Sequence, residues 1–463
     1  MKHFQKKKFM YLVSVFLWTQ MAQATSIDIY VSPQGSDVNQ GTKEKPVATF
    51  EAARDLIRRY KSIQAYPAEG FTVWVAGGEY EQKEPLVLNE LDSGTSDSPI
   101  TWRAVENEKV YLTGGVSLPA KAFTRVEKAV RSRLSKEAVA HVRCIDLKAL
   151  GITDYGEHKQ IGHALSVYPS PMELFINDEP MTLARYPNKG FVAIGAIIDG
   201  GSVPRTGDYS NRGAIFKYTD KRHEIWAKSD DVWFQGTFNN GYADDKIKVK
   251  KIDVKQKTVQ LASPHMYGVG SGKEYQHYVV LNVLDELDSP GEWYLDRKTG
   301  KLYVWPTVDL AKAKIAVSML EQPIVCLEGV SHLLFRDFVV ETGRGIGLYI
   351  ERGFNNTVAG CTIRNVGNTG IYFGQGAKQT VPYITHDDYE GVPQSRFVGN
   401  YSGHIYSYTT WDRHAGHNQQ IRSCDIYNTG SGGIILSGGS KRTLMPGNNS
   451  IVNCKIHNLL RSF

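Results

Sequence analysis

The strongest constraint on this chain is a short phrase that recurs in its last third. Residues 358–371 read Val-Ala-Gly-Cys-Thr-Ile-Arg-Asn-Val-Gly-Asn-Thr-Gly-Ile, and 421–434 read Ile-Arg-Ser-Cys-Asp-Ile-Tyr-Asn-Thr-Gly-Ser-Gly-Gly-Ile. A third copy opens at Ile451 with Cys454, Ile456 and Asn458, and a degenerate one begins at Phe335. Aligned on Phe338, Cys361, Cys424 and Cys454, the copies carry apolar residues three before and two after. Thr342, Asn365, Asn428 and Asn458 stand four after, and His332, Asn355, Asn418 and Asn448 six before. Gly347, Gly370 and Gly433 stand nine after. Alternating apolar residues form the inner face of a strand. Asn at a fixed turn position tolerates positive φ and can hydrogen-bond its neighbour in the next rung. The columns are 23, 63 and 30 residues apart. The short spacings fit one rung of a β-solenoid, and the long one fits a rung carrying a loop excursion. A leucine-rich repeat requires Leu at several fixed positions, and a propeller requires an even, longer period, so neither fits. The expected fold is all-β, a parallel β-helix.

The chain before the repeat divides into three parts. Residues 1–24 have the form of a secretory signal: Lys2, Lys6, Lys7 and Lys8, an apolar run over 9–19, and Ala22-Gln-Ala24. That run is short for a membrane span, and an uncleaved membrane anchor is the rival reading. Of the formal charge of +6, four units belong to those lysines, which leaves +2 and gives no reason to expect a nucleic-acid partner. The expected location is secreted or periplasmic, with no membrane span once the signal is cleaved. Residues 25–118 are expected to hold an N-terminal cap and the first turns of the helix. Ile27-Asp-Ile-Tyr-Val31 alternates as a strand, Thr49 caps a helix with Phe50, Ala53, Leu56 and Ile57 on one face, and short strands follow. Such a helix would cover the open end of the strand coil, which otherwise exposes core and unpaired backbone.

Residues 119–306 lack the repeat and read as an inserted all-β module. A hairpin with an Asn177-Asp178 turn and another over 293–305 mark it. Trp233, Trp293 and Trp305 could stack on sugars, although packing of the module's own core is the favoured reading. Residues 307–463 hold the repeats, with a long loop near 377–416. Three of the five cysteines share one repeat position, which favours a column of buried thiols over a disulfide framework.

Several stretches resemble bacterial right-handed parallel β-helix enzymes of glycoside hydrolase family 141. They are Tyr30-Val-Ser-Pro-Gln-Gly-Ser-Asp37, Gly77-Gly-Glu-Tyr80, the run from Leu284 through Gly291 to Asp296, and the run from Ser437 through Arg442 to Asn449. The resemblance implies an exported carbohydrate-active enzyme with a polysaccharide or oligosaccharide substrate, with fucoside or xylan hydrolysis among the family's activities. It also implies a longer chain, with the family's catalytic carboxylates in rungs beyond 459–463.

Glycoside hydrolysis needs two carboxyl groups flanking the bond. The loop excursion supplies suitable groups, so Asp412, Asp387 and His414 are the candidate catalytic residues. Trp411, Arg413, His417 and Tyr406 are candidate substrate contacts, and Lys441 and Arg442 a second binding pair. The rival for that excursion is a solvated loop covering the helix face, and for Lys441 and Arg442 a turn. Two other functions stay open: a polysaccharide lyase on a uronate-containing glycan, and a non-catalytic glycan-binding β-helix. No cofactor is expected. Asp387, Asp388 and Glu390 offer at most a weak Ca²⁺ set, without an EF-hand pattern.

Overall fold

The computed structural model describes residues 26–63, 66–163, 165–374, 395, 401–402, 416–439 and 443–461. Three parallel sheets coil around one core. Among the described residues, sheet A stacks Ile27–Val31, Phe71–Val75, Ile100–Ala104, Leu333–Arg336, Thr357–Ala359, Gln420–Arg422 and Ser450–Val452. Sheet B stacks Gly78–Glu81, Val110–Thr113, Phe338–Glu341, Thr362–Val366, Asp425–Thr429 and Lys455–His457. Sheet C stacks Leu86–Asn89, Val325–Glu328, Leu348–Glu351, Ile371–Phe373 and Ile434–Ile435.

The repeat columns are the inter-rung registers. Phe335, Val358, Ile421 and Ile451 pair in sequence, as do Val340, Ile363, Ile426 and Ile456. Ile363, Ile421 and Ile426 are fully buried, which at about 1.5–3 kcal/mol per large aliphatic side chain is what holds each rung on the next. Both turn columns adopt the left-handed conformation in every copy. His332, Asn355, Asn418 and Asn448 have φ of 54°, 57°, 54° and 49°, and Thr342, Asn365, Asn428 and Asn458 have 61°, 54°, 52° and 51°. A third left-handed column, Asp337, Gly360, Ser423 and Asn453, stands one residue before the Phe/Cys column.

The expected side-chain bonding between rungs lies one position along from the Asn355 column. Asn356 Oδ1 accepts from Leu333 N at 3.0 Å, Gln419 Oε1 from Asn356 N at 3.3 Å, and Asn449 Oδ1 from Gln419 N at 2.8 Å. Left-handed Asn365 instead donates to the Asp178 carbonyl in the inserted module. The glycine column is steric. A Cβ on Gly370 would lie 2.6 Å from Ile426 Cγ2 and 2.8 Å from the Gly433 carbonyl. All five cysteines are free thiols, and Cys361 and Cys424 are buried.

Three strands of sheet A precede the module, and Ile100–Ala104 pairs directly with Leu333–Arg336. The module therefore interrupts a solenoid already under way. Those early rungs lack the repeat phrase because their core is shared with the helix Phe50–Ile63. Phe50 stacks on Trp102 at 5.7 Å and meets Phe338 edge-on. Thr49 Oγ1 accepts from Ala52 N at 3.1 Å, the expected cap.

The module leaves and rejoins through a neck in which Gly115–Ser117 pairs antiparallel with Ile315–Ser318. Its sheets are mainly antiparallel, and Asn177 and Asp178 form the hairpin turn with φ of 52° and 64°. Trp233, Trp293 and Trp305 are 3–6% exposed and pack its cores. Polar ties fasten the module to the solenoid. Buried Arg344 bonds Asp154 at 3.0 Å and the Ser170 carbonyl at 3.1 Å. Arg364 joins Glu341 and Asp178, each at 2.7 Å, while Lys314 reaches Glu79 at 2.7 Å and Glu341 at 3.1 Å.

Candidate functional site

In a β-helix, chemistry must come from outward-facing side chains, and these repeat from rung to rung as the core residues do. Most outward positions of sheets A and B are partly open to solvent. The outer face of sheet C differs. In Val325–Glu328 and Leu348–Glu351, Val325, Leu327, Leu348 and Ile350 point into the core. The alternation turns Cys326, Glu328, Tyr349 and Glu351 outward, yet all four are buried, at 5% exposure for Glu328 and 3% for Glu351. The two glutamates are register partners on adjacent strands, so their backbones are about 4.8 Å apart.

Glu351 is held from both sides. Tyr349 Oη donates to Oε2 at 2.6 Å, and the Arg352 guanidinium lies 2.9 Å from Oε1. Burial, aided by the charge of Glu328, nevertheless pushes its carboxyl up to about 7, so a large share of it keeps its proton at near-neutral pH. Ser395 donates its backbone N–H and hydroxyl to the two Glu328 oxygens, at 3.2 and 2.6 Å. The Tyr349 and Tyr372 rings lie 6.0 Å apart along the same face.

The loop excursion thus meets the carboxyl pair. Ser395 belongs to it, as does Tyr401–Ser402, which pairs antiparallel with Ser166–Val167 of the inserted module. Tyr168, the next residue along, lines a cleft of about 680 Å³ where the module faces the corner between sheets B and C. Gly367 and Ser431 supply the solenoid side of that cleft.

Of the residues singled out from sequence, Asp387, Tyr406, Trp411, Asp412, Arg413, His414, Lys441 and Arg442 lie outside the described residues, as do the signal segment 1–24 and the acidic run at 387–390. His417 is described. Its ring stacks on Phe354 at 5.2 Å and 13°, and its backbone bridges the same residue, so it continues the rung where the excursion ends. Glu328 and Glu351 were not singled out. Their signal was present, since they stand ten residues before Phe338 and Cys361 and share the 23-residue spacing. No group of three or more metal-ligating side chains is present among the described residues, and no helix there is long and apolar enough to cross a membrane.

Coiled parallel sheets with an antiparallel insertion define a right-handed β-helix protein. Residues 319–459 match the family model described as "Right handed beta helix region". Two curated relatives match locally. An uncharacterized Bacillus subtilis protein, YwoF, is 41% identical over 86 residues, 19% of this chain and 15% of that protein. Pectate lyase PEL9 of Emericella nidulans is 33% identical over 140 residues, 30% of this chain and 31% of that enzyme. The chain thus spans less than a third of either relative. A solved structure titled "Glycoside hydrolase" superposes with a TM-score of 0.59 at 17% identity, covering 87% of this chain and 74% of the other. That likeness carries the fold.

Proposed function

We propose that this chain is an exported, carbohydrate-active enzyme, a glycoside hydrolase of fucosidase or xylanase type acting on a plant or algal polysaccharide. The observation that carries the reading is the Glu328–Glu351 pair. Hydrolysis of a glycosidic bond needs one carboxyl that keeps its proton near neutrality and a second carboxyl across the bond. Glu351 is the acid in this reading and Glu328 its partner. Adjacent rungs set them close together, which suits the separation of about 5–5.5 Å of a retaining mechanism rather than the wider gap of an inverting one. Asp387, Asp412 and His414, with Trp411, Arg413, Tyr406 and His417, belong to or border the excursion whose Ser395 touches Glu328. They are proposed to complete the sugar site, with Lys441 and Arg442 binding beside it. The leader at 1–24 supports export.

The test is reducing-sugar release from a panel of fucose- and xylose-containing polysaccharides by the full chain and by Glu351→Gln, Glu328→Gln, Asp387→Asn and Asp412→Asn. Glu351→Gln should lower turnover by about 10²–10⁴ with substrate binding retained. Full activity in both glutamine variants, with loss in Asp412→Asn, would move the acid into the excursion. An unsaturated uronate product, seen by its ultraviolet absorbance, would replace hydrolysis by the lyase chemistry named for the pectate lyase relative. Absence of turnover in the unmutated chain on every glycan it binds would leave a binding protein.

A further inference from the structure

The cleft at the corner between the module and the solenoid has a charge pattern that the carboxyl pair does not explain. Lys159, Arg185 and Lys246 line it, against Glu173 and Asp244. Glu173 is already engaged, because Arg461 grips both its oxygens at 2.6 and 3.3 Å. A second lobe shares His158, Lys159 and Tyr168 with the first and adds Lys248, which is paired with Asp231 at 3.0 Å. Lys159, Arg185 and Lys246 therefore face one uncommitted carboxylate.

Hydrogen bonding behind the wall shows the same imbalance. Lys246 Nζ sits 3.0 Å from His158 Nδ1. An ammonium can only donate, so Nδ1 must accept and Nε2 must carry the ring proton. That Nε2 is buried without an acceptor, and so are Nη1 and Nη2 of Arg297. Burial first, then the neighbouring Arg297 charge, brings Lys246 down to about 8. Burial, with the Lys246 and Arg297 charges, also depresses His158 and keeps its ring neutral. Donors crowd this corner and acceptors are short.

The same cleft presents flat apolar faces. Phe191 is 58% exposed and stacks on His277 at 3.7 Å and 15°. Tyr168 lies under the Lys159 ammonium at 4.6 Å. Aromatic faces suit the C–H faces of pyranose rings, and cations beside them suit groups that bring acceptors and negative charge.

We propose that this cleft binds a saccharide bearing carboxylate or sulfate groups, with Lys159, Arg185 and Lys246 facing the anionic groups and Phe191 and Tyr168 the rings. This goes beyond the hydrolase reading, because it assigns the inserted module a binding surface and the ligand a charge. A nucleic acid is disfavoured, since the formal charge past residue 24 is only +2, too little for a basic track along a phosphate backbone.

Calorimetric titration of the full chain tests it, with an oligogalacturonate, a sulfated galactan oligosaccharide and, as a neutral probe outside the proposed hydrolase's substrates, a gluco-oligosaccharide of equal length. One anionic probe should bind, more weakly as salt is added, and the neutral probe should not. Which one binds tells carboxylate from sulfate. Lys159→Ala with Arg185→Ala should weaken binding by about tenfold or more. Phe191→Ala, at an exposed position, should weaken it without disturbing the fold, as circular dichroism would register. Failure of both anionic probes, equal binding of the neutral one, preference for single-stranded nucleic acid, or full affinity in both the double variant and Phe191→Ala would overturn the proposal. Glu351→Gln separates the two readings, since it should keep this binding while turnover is lost.

Discussion

Glu351→Gln tests the physics of the carboxyl pair independently of any substrate. In the folded chain the Glu351 carboxyl is raised from 4.5 to about 7, first by burial and then by Glu328. Folding therefore favours the protonated form. A raised acid costs the folded state nothing while both states are protonated. The cost grows as pH climbs above the unfolded value and levels off above the folded one. The rise of about 2.5 pH units corresponds to about 3 kcal/mol. Glutamine, like the protonated acid, carries no charge; its one oxygen serves the Tyr349 hydroxyl, and the Arg352 guanidinium, whose side chain is 46% exposed, turns to water. The variant should match the parent near pH 4.5 and exceed its stability by about 2–3 kcal/mol near pH 8, with the difference opening between those values. Glu292 is also buried and raised to about 7, but it is present in both proteins and cancels in the comparison. Urea unfolding at several pH values gives the answer. Parallel pH profiles, or a variant less stable than the parent near pH 8, would refute the placement of a desolvated acid beside Glu328. The expected stabilisation with loss of turnover is the exchange anticipated where a functional group is held in an unfavourable setting.

Two further outcomes follow from the packing. Arg364→Met leaves the Glu341 carboxylate, 1% exposed, facing Lys314 alone, and should destabilise by about 2–4 kcal/mol, with earlier proteolysis of the inserted module as the specific sign. Gly370→Ala drives a methyl to within 2.6 Å of Ile426 Cγ2 and should cost about 1–3 kcal/mol in urea unfolding, because the contacting atoms belong to a packed core and a neighbouring backbone.

The scaffold was legible in sequence where rungs are alike, because stacking makes the same demand at each turn. Asn365, Asn428 and Asn458 meet one backbone requirement, and Ile363, Ile426 and Ile456 fill one core line. The early rungs are expected from sequence as a cap and first turns of the helix on their strand pattern alone, since Trp102 and Phe50 fill that core together and leave no repeated phrase. The carboxyl pair was half legible. Its spacing is in the sequence, but nothing there says that this outward ladder is covered while most others stay partly open to solvent. The cleft was not legible at all. Its walls come from residues far apart in the chain, as in the Arg461–Glu173 pair, 288 positions apart, and such contacts depend on where the module docks.

A perfect solenoid would make a poor site, because each outward position is followed at about 4.8 Å by another like it. A site requires the ladder to stop. Asn89, Glu328 and Glu351 follow one another up the outer edge of sheet C. On the next rung Phe373 pairs with Ile350, and the residue after it is Gly374, whose N–H bonds the Ile350 carbonyl at 2.9 Å. Glycine puts no side chain above Glu351, and a Cβ there would run into the rings of Tyr372 and Tyr349. Gly374 is the last described residue of that rung, and Ser395 touches Glu328 before His417 resumes the coil against Phe354. The end of the carboxyl ladder, the glycine that clears space and the start of the excursion are thus one event in the fold. Selection acting on that single interruption could tune the cover over the acids without disturbing the stacked core, because the columns on either side of it, Ile363 with Ile426 and Val358 with Ile421, stay in register across the gap.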